Sequence, residues 1–208
     1  MTNSMRALLI LDLQNDYGAL GAAPIPESEQ IIPVINQLME HFDVLITTQD
    51  WHPADHVCFA ANHPWRHPGQ TIDLNGVEQE LSIIHCVQEG FGAELMGGLD
   101  TDKINQRFYK GVDRAFDSYS AFFDRNKSRD TGLNEWLKSK GIKELYVVGL
   151  RLEKGVRFTV LDALKLGFKV FVVKEGVKSI SGDAAVVDEV FAGLEGAGAL
   201  VVTGIKEV

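Results

Sequence analysis

LYVVGLRLEKGVRFTVLDALKLGFKVFVV, running from Leu145 to Val173, alternates two patterns, and that alternation decides the fold. Leu145 to Leu150 is a short apolar run with Tyr146, Val147 and Val148, the composition of a strand buried on both faces. Val156 to Leu166 follows helical periodicity and is stopped by Gly167, a residue that readily takes the left-handed conformation ending a helix. Lys169 to Val173 is again a strand. A helix between two such strands predicts a crossover joining parallel neighbours.

The alternation extends outward in both directions. Ala7 to Leu13 and Val44 to Thr48 read as strands flanking a helix from Ser28 to Glu40, whose Ile31, Ile32, Ile35, Leu38 and Met39 share one side. Arg107 to Lys110 reads as a strand, Gly132 to Lys140 and Ala184 to Leu194 as helices, and Ala199 to Thr203 as a final strand. Apolar strands separated by helices predict an α/β fold, a parallel sheet covered on both faces. No repeat, linker or low-complexity tract interrupts the sequence, so one domain over residues 1–208 is expected.

Composition removes several classes of function. With 45% hydrophobic and 24% charged residues the chain is that of a globular protein. A net charge of −9 offers no basic footprint for nucleic acid or for anionic lipid. The apolar run Ala7 to Leu11 is too short for a signal peptide or a membrane span. Two cysteines, Cys58 and Cys86, make no disulfide framework. A cytoplasmic protein without nucleic-acid or membrane partners is expected, and the sequence leaves a homo-oligomer open.

The irregular stretch from Trp51 to Gly98 contains five of the six histidines, at 52, 56, 63, 67 and 85. A long loop region in a compact domain is commonly functional. Asp12, Asp50, Lys110 and Gly155 each fall at or just after the carboxyl end of a predicted strand, where parallel sheets bind ligands. Taken singly, Asp12 has the lesser alternative of capping the next turn, and Lys110 is better read as a strand-end lysine in solvent. Asp50 and His52 stand two apart, so in an extended segment both side chains point the same way and reach one ion.

These residues, LLILDLQNDY around Asp12, TTQDWHP around Asp50 and His52, IHCVQ around His85, and FYKGVD around Lys110, resemble the nicotinamidase/pyrazinamidase family of the isochorismatase-like hydrolases. The resemblance runs over nearly the whole chain. It implies a three-layer α/β/α domain with a six-stranded, mainly parallel Rossmann-like sheet, and a place in NAD salvage. It implies Asp12 and Lys110 as catalytic residues and Asp50, His52 and His85 as ligands of one divalent metal, with His56 a fourth used by some relatives. Zinc is favoured for such a donor set, with iron or manganese next. Tyr17 and Tyr119 fall where the family keeps aromatic residues; outside the resemblance, Arg151, or else Lys154, is expected to attract an anionic ligand such as nicotinate if it points inward.

The chain departs from the family at the strand-to-helix turn. The family reads G-L-A-T-D-Y-C-V, with the cysteine as the attacking group, whereas this chain reads Gly149-Leu150-Arg151-Leu152-Glu153-Lys154-Gly155-Val156. The family's cis peptide at this turn would correspond to Leu150-Arg151. The aromatic wall of W-P-x-H-C is replaced by Ser82-Ile83-Ile84-His85-Cys86. Neither Cys58 nor Cys86 lies at the turn, so neither is expected to substitute. The expectation is a nicotinamidase-like pocket for nicotinamide, nicotinate or a related pyridine or carboxylate, with strongly impaired amidase activity. Two alternatives stand beside it. One is a non-covalent hydrolase of the isochorismatase kind, with Asp12 as general acid; the other is a non-catalytic binding protein.

Overall fold

The computed structural model describes residues 5–74 and 76–208. Six strands form one parallel sheet: β1 (Arg6–Leu11), β2 (Leu45–Asp50), β5 (Gln106–Lys110), β6 (Glu144–Leu150), β7 (Lys169–Lys178) and β8 (Leu200–Val202). Their order across the sheet is β5-β2-β1-β6-β7-β8. From β1 the chain winds through β2 to β5, then returns to β6 on the other side of β1 and continues to β8. The reversal therefore lies between β1 and β6, where open α/β sheets form their ligand crevice.

Alternation along the central strand builds two cores. Ala7, Leu9 and Leu11 face one layer with α2 (Leu133–Ser139), α3 (Arg157–Lys165) and α4 (Ala184–Gly196), while Leu8 and Ile10 face α1 (Ile32–Met39). All five are fully buried, which is why β1 reads as an unbroken apolar run. The expected three-layer α/β/α architecture is the one observed, with every strand pair of the main sheet parallel. No helix among the described residues is long and apolar enough to cross a membrane.

Local differences from the sequence reading have identifiable causes. The segment expected as one helix from Ser28 begins as a 3₁₀ turn, Ser28–Ile31, and becomes α-helical only at Ile32. Pro33 lacks an N–H and is accommodated in the first α turn, where that donor has no intrahelical partner. The helix expected from Val156 is preceded by a π turn, Leu152–Val156, so that α3 proper starts at Arg157. Within the irregular segment lies an antiparallel hairpin, β3 (Thr71–Leu74) with β4 (Val77–Glu80), which the sequence reading leaves unassigned.

Gly149 shows why β1 and β6 can lie so close at the switch point. Its φ of +120° is closed to ordinary side chains, and a Cβ there would stand 2.2 Å from the Leu11 carbonyl oxygen. Strain and backbone collision act together, so Gly149→Ala should cost about 3 kcal/mol or more in urea unfolding. A loss below about 0.5 kcal/mol, the usual range for an inconsequential substitution, would show that the strand pair relaxes around a methyl group.

Candidate active site

Three strand ends deliver the charged groups. Asp12 leaves β1 in the left-handed region at φ 52°, and its carboxylate accepts from Thr48 Oγ1 at 2.7 Å. Lys110 ends β5, in register with Asp50 at the end of β2. Its ammonium lies 2.8 Å from Asp12 Oδ2 and also pairs with Asp50 Oδ1. The fourth charge comes from the turn after β6. Arg151, at φ 66°, donates from Nη1 to Asp50 Oδ2 at 2.9 Å and to the Tyr17 hydroxyl at 2.7 Å. Tyr17 in turn donates to Asp50 Oδ2. No described peptide bond is cis, so the Leu150–Arg151 turn is made with Arg151 left-handed instead.

Two carboxylates and two cations thus balance in a buried quartet. Burial alone would push both carboxyls up. Asp12 stays raised, with Lys110 only partly offsetting the loss of water. At Asp50 burial is outweighed by Lys110, His52 and Arg151, which hold the carboxyl well below the usual range. Burial also opposes the charge on Lys110, but Asp12 and Asp50 raise it to about 12.

Gly155 faces this quartet. A Cβ built on it would lie 3.2 Å from Asp12 Oδ2 and 3.3 Å from the Leu150 carbonyl, tight but without backbone overlap. A side chain here would emerge directly against Asp12, and glycine supplies none. The N–H groups of Lys154 and Val156 turn back to the Arg151 carbonyl, at 2.9 and 3.3 Å. Neither cysteine compensates, because burial pushes both thiols up and holds them protonated.

Beside the quartet lies a cavity of about 180 Å³, lined by Ser82, His85, Asp117, Tyr119, Arg151 and Lys154 among others, with Arg151 the member of the quartet that reaches it. Tyr119 and Arg151 of the expected ligand-binding residues reach it. Tyr17 does not line it, and its hydroxyl is engaged by Asp50 and Arg151. Lys154 is held by Glu80 at 2.8 Å. A larger concavity, about 480 Å³ beneath α4, includes none of the charged quartet.

The histidines gather beside the quartet, with ring centroids 4.5 Å apart for His52 and His56 and 5.0 Å for His52 and His85. His85 Nδ1 pairs with the Ile83 carbonyl at 2.8 Å. Both ring nitrogens of His56 have partners, the Cys58 N–H on Nδ1 and the Phe116 carbonyl at Nε2. His52 Nδ1 is buried and unpartnered. The metal set implied by the resemblance therefore meets an obstacle at Asp50. Tyr17 and Arg151 engage Oδ2 while Lys110 engages Oδ1, so an ion on either oxygen would stand against a fixed cation. As arranged, Asp50, His52 and His85 do not fit a shared ion. Among the described residues, the donor atoms lying within 4.8 Å of one another are those of His52, His56, Cys58 and Asp117.

Asp117 is the residue that sequence reasoning missed. It lies seven positions beyond Lys110 in a stretch without strand or helix periodicity, and only the fold carries it to His52. Gln79, which holds Asp117 from the unassigned hairpin, was equally hidden.

Comparison with known proteins gives a consistent neighbourhood. The isochorismatase-domain family profile matches residues 6–205. The nicotinamidase of Escherichia coli K12 is 43% identical over 183 residues, covering 85% of this chain and 84% of that protein. An Acinetobacter baumanii nicotinamidase/pyrazinamidase structure superposes with a TM-score of 0.94 at 34% identity, covering all of both chains. Yeast nicotinamidase bound to the inhibitor nicotinaldehyde gives a TM-score of 0.89 at 30% identity, over 95% of this chain and 99% of that one. A Pyrococcus horikoshii pyrazinamidase in complex with zinc gives 0.79 at 29% identity, over 96% and 99%.

The electrostatics predict acid sensitivity with a definite sign. Burial, aided by His52 and Arg151, lowers His85 to about 4, and burial also lowers His56. The unfolded chain therefore binds protons that the folded chain refuses as pH falls below about 6.5, and stability drops. Depressed Asp50 and Asp117 extend the loss below about pH 4, since their stabilisation is present above the unfolded carboxyl pKa and disappears as pH falls. Metal-free protein should lose about 2 kcal/mol between pH 7 and 5 from His85 alone. A flat urea-unfolding profile over that interval would show His85 to be charged in the fold.

Proposed function

The chain belongs to the isochorismatase-domain family and, within it, to the nicotinamidases, and from that premise we propose a nicotinamidase pocket that binds small pyridine or carboxylate ligands and is strongly impaired as an amidase. The carrying observation is the 3.2 Å gap between Asp12 Oδ2 and the Cβ that Gly155 lacks. Covalent hydrolysis of an amide needs a nucleophile whose proton passes to a neighbouring base. Asp12 occupies the place of that base, and Lys110 fixes its carboxylate. No thiol stands between them and a bound amide.

Nicotinamide and nicotinate are the ligands this reading favours, in keeping with the nicotinaldehyde held by the yeast relative. Tyr119 lines the cavity, and Arg151 and Lys154 are the cations there that a ligand carboxylate would meet. Water activated by Asp12 is the hydrolytic route this charged frame offers, and it lacks the Lys154 and Val156 N–H groups as oxyanion donors because the Arg151 carbonyl already takes them. Zinc is the ion carried by the Pyrococcus relative. When bound, such an ion supplies charge for positioning a ligand, and the imidazole, thiol and carboxylate donors near this pocket suit zinc before iron or manganese.

Ammonia release from nicotinamide should run at least ~10³-fold slower than in a cysteine-bearing relative. Gly155→Cys should recover part of the rate, with hydroxamate formed from hydroxylamine only in that variant. Recovery stays partial because Arg151 still shapes the turn and Ser82 leaves the ring wall open. Full activity in the unaltered protein that survives thiol-blocking reagents would falsify the reading.

A further inference from the structure

We infer that the cation positions of this pocket have been exchanged: the Arg151 guanidinium serves Asp50 in place of a metal, and a divalent zinc-type ion is held instead by His52, Cys58 and Asp117, with His56 beside them. The inference rests on the reading that the pocket retains a divalent ion, and it moves that ion to different donors.

Charge balance is the first argument. Asp12, Asp50, Lys110 and Arg151 neutralise one another without help. Asp117 is buried outside this set, and among the described residues no lysine or arginine lies within ion-pair distance of it. It accepts from the Ser118 N–H at 2.8 Å and from Gln79 Nε2 at 3.0 Å, two bonds for a carboxylate with about four acceptor sites. Beyond these bonds its charge is held by the imidazoles of His52 and His56, and a bound cation would complete the pairing that neutral imidazoles leave partial. The groups facing it are His52 and His56.

Donor geometry is the second argument. His52 Nε2 stands 3.8 Å from Asp117 Oδ1. Two donors at zinc bond lengths and a tetrahedral angle are about 3.4 Å apart, so a shift of a few tenths of an ångström closes the pair. Cys58 is buried in the same group, and the Ser82 hydroxyl lies 3.6 Å from its sulfur. A coordinated thiol is deprotonated outright, which gives this thiol a role that its burial otherwise denies it. His56 would have to release the Cys58 N–H to coordinate through Nδ1, which makes it the weakest of the four. The remaining three leave an open coordination position. Asp117 also lines the ligand cavity, so that position borders the cavity.

Arg151 accounts for the move. Its charge is permanent and delivered by a planar group, so Asp50 gains a fixed partner independent of metal supply. An ion returning to Asp50 would have to displace it.

The test titrates chelator-treated protein with zinc alone and with cobalt alone, without any substrate, so that its outcome is independent of amidase activity. One ion per chain is expected, and the cobalt form should show thiolate-to-cobalt charge-transfer absorption. Cys58→Ser should abolish that band, and Cys58→Ser and Asp117→Asn should each weaken zinc binding by at least about 100-fold. Asp50→Asn, judged on protein that remains folded, should weaken zinc binding far less than Cys58→Ser does. The band in the unaltered protein is diagnostic even where a variant misfolds. Zinc bound without the cobalt–thiolate band, zinc lost in Asp50→Asn but kept in Cys58→Ser, or no zinc bound at all would each overturn the inference.

Discussion

Lys110 is the interaction on which the site depends. Its ammonium is buried at the end of β5 and touches carboxylates from the ends of β1 and β2, so one cation ties three parallel strands together at their carboxyl edge. Parallel strands diverge beyond their last ladder bonds, and a shared ion is a way to hold the loops that follow. Removing one partner of such a buried set leaves an uncompensated charge, which costs about 3–5 kcal/mol. Arg151 completes the set from β6 and brings the turn of Gly155 to face Asp12.

That arrangement explains how the fold tolerates the departures at the turn. A cysteine at position 155 has no structural duty that glycine fails to meet, because the Leu152–Val156 turn closes on backbone bonds to the Arg151 carbonyl. The substitution at 151 is the consequential one. A small residue there would leave Asp50 with two donors and one cation, whereas arginine gives the quartet zero net charge. Chemistry and fold are therefore separable here: the charged frame persists on its own balance, whether or not a nucleophile stands in front of it.

The neighbouring group of His52, His56, Cys58 and Asp117 obeys the same rule with the opposite result. Its charges are not balanced from within, and its polar atoms are not all paired. Two adjacent compartments, one internally neutral and one short of a cation, divide the pocket floor. The hairpin β3–β4 closes the second compartment through Gln79, although it belongs to neither core.

The layered sheet was legible along the chain, because unbroken apolar strands and helical stripes are local patterns that burial on two faces imposes. It also brought Asp12, Asp50, Lys110 and Gly155 into one argument, since each follows a strand and parallel strands share a carboxyl edge. The 3₁₀ and π turns before α1 and α3 were not legible, because they depend on where Pro33 and Arg151 sit within turns that share the periodicity of the helix. The partner of Arg151 was hidden for a stronger reason. Asp50 lies 101 positions away, and nothing local in either segment signals that β6 ends two strands from β2 with the guanidinium turned inward. Asp117, in an aperiodic stretch, acquires its meaning only from His52 at 3.8 Å. Patterns of burial are written residue by residue along a chain, whereas electrostatic partnership is a property of strand order and side-chain direction, which exist once the chain has folded.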